Sequence, residues 1–147
     1  MNSIIVCGYS GIGKTVFAQK CISAVDIDSA TIPKDDHFSE RYMSRILAYI
    51  GQYEYILVST HPKLRDALAK AGWSVVLVYP QRHLKREYLR RYLARGNSYA
   101  YAKLIERQWD EQIAALESET RFPAIVLSSG EYLSDCNLNL DLRNNGR

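Results

Sequence analysis

Gly8-Tyr9-Ser10-Gly11-Ile12-Gly13-Lys14-Thr15 fits the pattern G-x-x-x-x-G-K-[ST], a loop whose backbone N–H groups turn inward to cradle phosphate oxygens. The apolar run Ile4-Ile5-Val6-Cys7 directly before it reads as a buried strand. Directly after it, residues 14–24 place Val16, Phe17, Cys21 and Ile22 at helical spacing. Strand, glycine-rich turn and helix is the context this phosphate-binding loop, or P-loop, requires. In that context Gly8, Ser10, Gly11, Ile12, Gly13 and Val16 surround a nucleoside triphosphate. Lys14 reaches its β- and γ-phosphates, and the Thr15 hydroxyl is a magnesium ligand.

Working outward, Val25-Asp26-Ile27-Asp28 reads as a second strand and residues 38–53 as a helix with Tyr42, Ile46, Tyr49 and Ile50 on one face. Tyr55 to Val58 is a third strand ending at Ser59-Thr60-His61, and Pro62 opens a helix through about Ala71. Residues 73–79 form a fourth strand. Residues 84–95 and 101–117 are helical on either side of Gly96-Asn97-Ser98, and residues 124–127 form a fifth strand. Strands alternating with helices predict a parallel sheet covered on both faces. Its ligand edge lies beyond the strand C-termini, at the P-loop, 26–29, 59–65, 80–82 and 128–130.

Bulk properties narrow the class. At 147 residues the chain is the size of one domain, and its net charge of +3 gives no argument for stable nucleic-acid binding. No apolar stretch reaches membrane-spanning length and no leader pattern opens the sequence, so a soluble cytoplasmic protein is expected. Cys7, Cys21 and Cys136 are widely spaced and suggest neither disulfides nor zinc. The oligomeric state is not legible.

Phosphoryl transfer needs substrates held in line and cations on the migrating charge. Arg82, Lys85, Arg86, Arg90, Arg91 and Arg95 crowd one segment. Arg91 and Arg95 share the inward face of Leu84 and Tyr88, while Arg86 and Arg90 point away. The inward pair reads as a phosphate clamp on a short lid at about 91–107, with Arg107 closing the other side. Arg41, Arg45 and Arg65 are candidates for an acceptor phosphate, which guanidinium groups grip in a fork. Asp28 suits an alcohol acceptor, as a base or orienter. His61 is read as either a ligand contact or a packing residue, and Tyr9 or Tyr42 as a surface for a base to stack on.

Arg91-Tyr92-Leu93-Ala94-Arg95-Gly96, after Val78-Tyr79-Pro80, resembles the lid-entry arginines of nucleoside monophosphate kinases such as adenylate kinase, over roughly residues 1–135. Residues 58–65 and the Asp26-Ile27-Asp28 segment resemble small-molecule P-loop kinases of the gluconate and shikimate type. The short break at 96–100 is similar to short-lid members, and the whole is reminiscent of nucleotide kinases encoded by bacteriophages. The resemblance implies a three-layer α/β/α fold with a five-stranded parallel sheet in order 2-3-1-4-5, and a polar tail at 136–147. It implies an ATP- and magnesium-dependent kinase, with the adenine against the main chain at Ser129-Gly130-Glu131. Ser59-Thr60-His61 stands where an aspartate often supports the metal, which leaves Thr15 and Asp28 for that role. The acceptor is first read as a (deoxy)nucleoside monophosphate. A hydroxyl on a small molecule or nucleic-acid end, or a nucleotide-binding module without transfer, remain alternatives. No Asn-Lys-x-Asp motif supports a GTPase switch.

Overall fold

The structure, a computed structural model, describes residues 2–138. Strands β1 (Ile4–Gly8), β2 (Ala24–Asp26), β3 (Tyr55–Val58), β4 (Val75–Pro80) and β5 (Ala124–Leu127) alternate with helices α1 (Lys14–Lys20), α2 (Phe38–Tyr49), α3 (Pro62–Ala71), α4 (Lys85–Ala94) and α5 (Tyr99–Glu117). All strand pairs are parallel, in the order β2-β3-β1-β4-β5. This is the three-layer α/β/α arrangement expected from the sequence. β1 lies between β3 and β4, with Cys7 opposite Val58 on one side and Leu77 on the other. The chain therefore leaves β1 towards one edge and later crosses to the other, so β1 marks the switch point where such sheets open a crevice.

The central strands are apolar on both faces because both faces are covered: β4 is buried along its whole length. Helices close the layers with aromatic side chains. Tyr42, Tyr88, Tyr92 and Trp109 are all fully buried, and Tyr9 and Tyr88 pack against Trp109 at ring-centre distances of 5.4 and 5.5 Å.

Several boundaries differ from expectation for local reasons. α1 stops at Lys20 because Cys21 is already extended, so Ile22, placed by periodicity on the inner face, is 99% exposed. β2 stops at Asp26, two residues early. Asp28 instead caps a 3-10 turn at Ser29–Thr31, its Oδ1 accepting the Ala30 N–H at 2.9 Å. α2 ends at Tyr49, since Ile50 leaves helical geometry and Gly51 takes φ +84°. α5 begins at Tyr99, earlier than its apolar spacing indicates, because Ser98 caps it by accepting the Tyr101 N–H at 3.1 Å. The expected lid at about 91–107 has no element of its own. It is the last turn of α4, a tight turn with Gly96 at φ +92°, and the first half of α5. Leu138 packs into the core, so the folded unit runs past residue 135; the rest of the expected tail lies outside the described residues. Among the described residues no helix is long and apolar enough to cross a membrane.

Candidate active site

The loop between β1 and α1 turns on glycines that tertiary packing demands as well as backbone geometry. Gly11 and Gly13 have φ of +90° and +94°, a region that side chains avoid. A Cβ on Gly11 would stand 2.9 Å from Cε1 of Tyr92 and 3.1 Å from Tyr88, and one on Gly13 would stand 3.2 Å from Tyr132. Both buried tyrosines belong to α4, which therefore seats directly on the loop. Gly11→Ala is expected to destabilise the fold by about 1–3 kcal/mol, read as a lower midpoint in thermal or urea unfolding. An unchanged midpoint would show that α4 is not seated there.

Lys14 folds back along the loop, its Nζ donating to the Gly8 carbonyl at 2.6 Å. Burial lowers its pKa, and the neighbouring charge of Asp26 opposes that shift. Asp26 is shifted upward, first by burial and also by Asp28, against the pull of Lys14 and of a hydrogen bond from Thr15. That bond runs from Thr15 Oγ1 to Asp26 Oδ2 at 3.3 Å. Asp26, which the sequence reading passed over for Asp28, is thus the carboxylate behind Thr15. Asp28 has one oxygen engaged in its own turn. A hydroxyl and a carboxylate form a hard, oxygen-only donor pair. It suits magnesium, which takes one or two protein oxygens and completes its shell with phosphate and water. No cluster of three or more His, Cys, Asp or Glu able to hold a metal occurs among the described residues.

A cleft of about 1420 Å³ opens at this edge. Its lining includes the P-loop, Val16, Asp26, Asp28, Lys34, the β3 exit from Ser59 to Pro62, Arg65, Arg91, Arg95 and one face of α5. Two expected segments are not part of it. Pro80 to Arg82 lies beneath α5, where the Arg82 carbonyl accepts the Trp109 indole N–H at 2.7 Å. Gly130 is also outside the lining, and its N–H donates to Glu87 at 3.1 Å.

The arginines separate into different roles. Arg95 stands over the loop, its Nη2 3.2 Å from Ser10 Oγ and its guanidinium against Tyr92. Arg91 is a tie rather than a loose clamp. It donates to the carbonyls of Gly11 and Glu131 at 3.0 and 3.1 Å and to Glu87 at 2.9 Å. Its guanidinium lies between the rings of Tyr88 and Tyr132, at 4.3 and 3.9 Å. Arg65 reaches the cleft wall, but its fork is committed to Glu119 at 3.0 Å and to the Thr60 carbonyl. Arg41 pairs with Asp35 on the surface and Arg45 donates to Thr31. Arg107 is exposed and outside the cleft lining, because the face of α5 turned to the cleft carries Tyr101, Gln108, Glu111 and Gln112 instead. Arg86 and Arg90 point outward, as their spacing indicates.

Neither tyrosine singled out for stacking offers a face: Tyr9 is 3% and Tyr42 0% exposed. Tyr42 instead bridges β2 and β3, donating to the Ile27 carbonyl and accepting the Ser59 N–H. His61 both packs and lines the cleft. Its ring lies 4.7 Å from Phe38, its Nδ1 is buried without a hydrogen-bond partner, and burial and nearby cations lower its pKa. The sequence reading also missed Glu87, which holds the β5 exit through Ser129 Oγ (2.5 Å), Gly130 and Arg91. Its position four residues before Arg91 on a helix was the available signal.

No family model and no curated protein matches this chain. Among solved structures, an uncharacterized protein from Eubacterium ventriosum is 14% identical, with a TM-score of 0.54 and full coverage of both chains. A deoxyadenosine kinase from M. mycoides, solved with bound dATP, is 12% identical, with a TM-score of 0.50 over 99% of this chain and 100% of that one. At these identities the likeness establishes architecture: the chain has a P-loop α/β/α fold built on a five-stranded parallel sheet.

Proposed function

We propose that this protein is a phosphotransferase that moves the terminal phosphoryl group of a magnesium-bound nucleoside triphosphate, ATP in the first instance, to a small acceptor in the same cleft. The observation that carries this reading is the convergence of Lys14, the Thr15–Asp26 pair and Arg95 on one glycine loop. Lys14 and the loop amides hold the β- and γ-phosphates, while Arg95 meets charge developing on the transferred group. Magnesium, when bound near Thr15 and Asp26, neutralises phosphate charge.

The acceptor is a hydroxyl. A (deoxy)nucleoside monophosphate, the acceptor implied by the lid-entry arginines, needs guanidinium forks on the far side of the cleft. There Arg65 is paired with Glu119, while Arg41, paired with Asp35, and Arg107 are outside the lining. Asp28 borders that side and is the base for the attacking hydroxyl. By its name, the deoxyadenosine kinase of the same fold acts on a nucleoside, itself a hydroxyl compound.

The test is ATP and magnesium with paired acceptors, each ribo- and deoxyribonucleoside beside its monophosphate, plus simple polyols and a 5′-hydroxyl oligonucleotide, with products identified by mass spectrometry. Transfer to the unphosphorylated member of a pair supports the reading. Diphosphate formation returns the acceptor to a nucleotide, and tight ATP binding with no product leaves a binding module. Arg95→Ala is expected to lower kcat by about 10²–10³-fold with little change in the Kd for ATP. A loss confined to ATP binding contradicts the role of Arg95 at the transferred group.

A further inference from the structure

Two exposed apolar side chains border the cleft beside the P-loop. Val16, on the first turn of α1, is 46% exposed, and Tyr132, just beyond the β5 exit, is 43% exposed. Tyr132 is the most exposed aromatic residue of the cleft lining, since Tyr9 and Phe38 are each 3% exposed and His61 and Tyr101 are half-buried. Its position is rigidly set. One face of the ring is covered by Arg91, itself backed by Tyr88. Its edge meets Gly13, and the next residue ties to the loop through Leu133 N–H to the Ile12 carbonyl at 2.8 Å. A nucleoside leading away from phosphates in the P-loop on this side meets an aromatic plate.

Hydrogen-bond reading of a base requires loose donors and acceptors next to that plate, and four backbone N–H groups of residues 128–132 are already engaged within the protein. Ser128 N–H donates to the Glu131 carboxylate at 2.6 Å, Gly130 N–H to Glu87 at 3.1 Å, Glu131 N–H to the Ser128 carbonyl at 3.1 Å, and Tyr132 N–H to Asp135 at 2.7 Å. The Glu131 carbonyl is taken by Arg91. We infer that the donor's base is held by stacking on Tyr132 with Val16 alongside, and that its hydrogen-bonding edge goes unread, so the protein accepts purine and pyrimidine triphosphates alike. Stacking tolerates any base because every base has a π-face. A site built to hydrogen-bond its ligand, by contrast, rejects the wrong partner by factors of about 10⁴–10⁵.

This inference rests on the P-loop reading, so the experiment includes a ligand with no base. Calorimetric titration of the full chain with the magnesium complexes of ATP, GTP, CTP, UTP and inorganic tripolyphosphate is expected to give Kd values for the four nucleotides within about tenfold of one another; a wider spread overturns the inference. Tyr132→Ala is expected to weaken all four by about 5- to 100-fold, the loss of one base–aromatic stack, and to leave tripolyphosphate unchanged. Tyr132→Phe and Tyr132→Trp, which keep the plate and the cover over Arg91, are expected to bind the nucleotides as the parent chain does. If tripolyphosphate binds and Tyr132→Ala treats nucleotides and tripolyphosphate alike, the inference falls while the P-loop reading stands. If neither nucleotides nor tripolyphosphate bind, both fall.

Discussion

Replacing Lys14 with methionine is expected to lower phosphoryl transfer by about 10³-fold or more, the scale on which a preorganised charge at the transferred group acts. The side chain lies along the loop, its ammonium 2.6 Å from the Gly8 carbonyl and facing Asp26. A phosphate seated on the loop gives that ammonium a far stronger partner than one carbonyl. Methionine keeps the length and packing of the stem and removes only the charge, so the fold is expected to persist by circular dichroism. Lys14→Arg is not expected to rescue. An arginine at position 14 keeps the charge but spreads it over a planar fork, which does not copy the compact ammonium that the loop curls around. Turnover and MgATP affinity within twofold of the parent in Lys14→Met would remove the foundation of the functional reading.

Glu119→Gln is expected to cost about 3–5 kcal/mol of stability, the usual consequence of leaving one member of a buried ion pair without its countercharge. The Arg65 and Glu119 side chains are 9% and 5% exposed and 3.0 Å apart. Arg121 also grips Glu119, at 2.7 Å, and reaches Asp66 at 3.0 Å. Arg121 first, with Arg65 adding to it, holds the Glu119 carboxyl down at about 2, against an ordinary value of 4.5. A carboxylate held low in the folded state stabilises above its unfolded value and loses that contribution as the pH falls towards the folded one. The deficit of Glu119→Gln relative to the parent, measured by urea unfolding, is therefore expected in full above about pH 4.5 and to shrink between there and about pH 2. The double replacement Arg65→Met with Glu119→Leu is expected to recover most of the loss, because no uncompensated charge remains. A double variant as unstable as Glu119→Gln would place the cost in packing rather than charge.

The Arg65 pair also marks where sequence reasoning stopped. One turn into a helix that opens at the cleft, an arginine looks like a ligand contact from its position alone. Its partner lies 54 residues away, in the turn before β5, and nothing local announces a pairing across that distance. Arg41 was intercepted too, by Asp35, which lies nearby in sequence just before α2. Asp26 and Asp28 were separated only by register. Both belong to one short apolar–acidic alternation, and only the parallel pairing of Asp26 with Leu57 brings the Asp26 carboxylate to Thr15. Tyr132 carried no periodic signal because it follows a strand in an irregular segment; its place against Gly13 is made by the contact between the two strand exits.

The P-loop, the alternation of strands and helices, and the inward face of α4 were legible in the chain itself, because each depends on residues a few positions apart whose spacing matches a helical turn, a strand pleat or a glycine-dependent bend. Folding in three dimensions decided which charged groups face a ligand and which face one another. A guanidinium or carboxylate takes whatever opposite charge or hydrogen-bonding group the fold brings within about 3–4 Å, and for Asp26, Arg65 and Arg95 that distance is set by the order β2-β3-β1-β4-β5 and by the seating of α4 on the loop rather than by any neighbour in sequence.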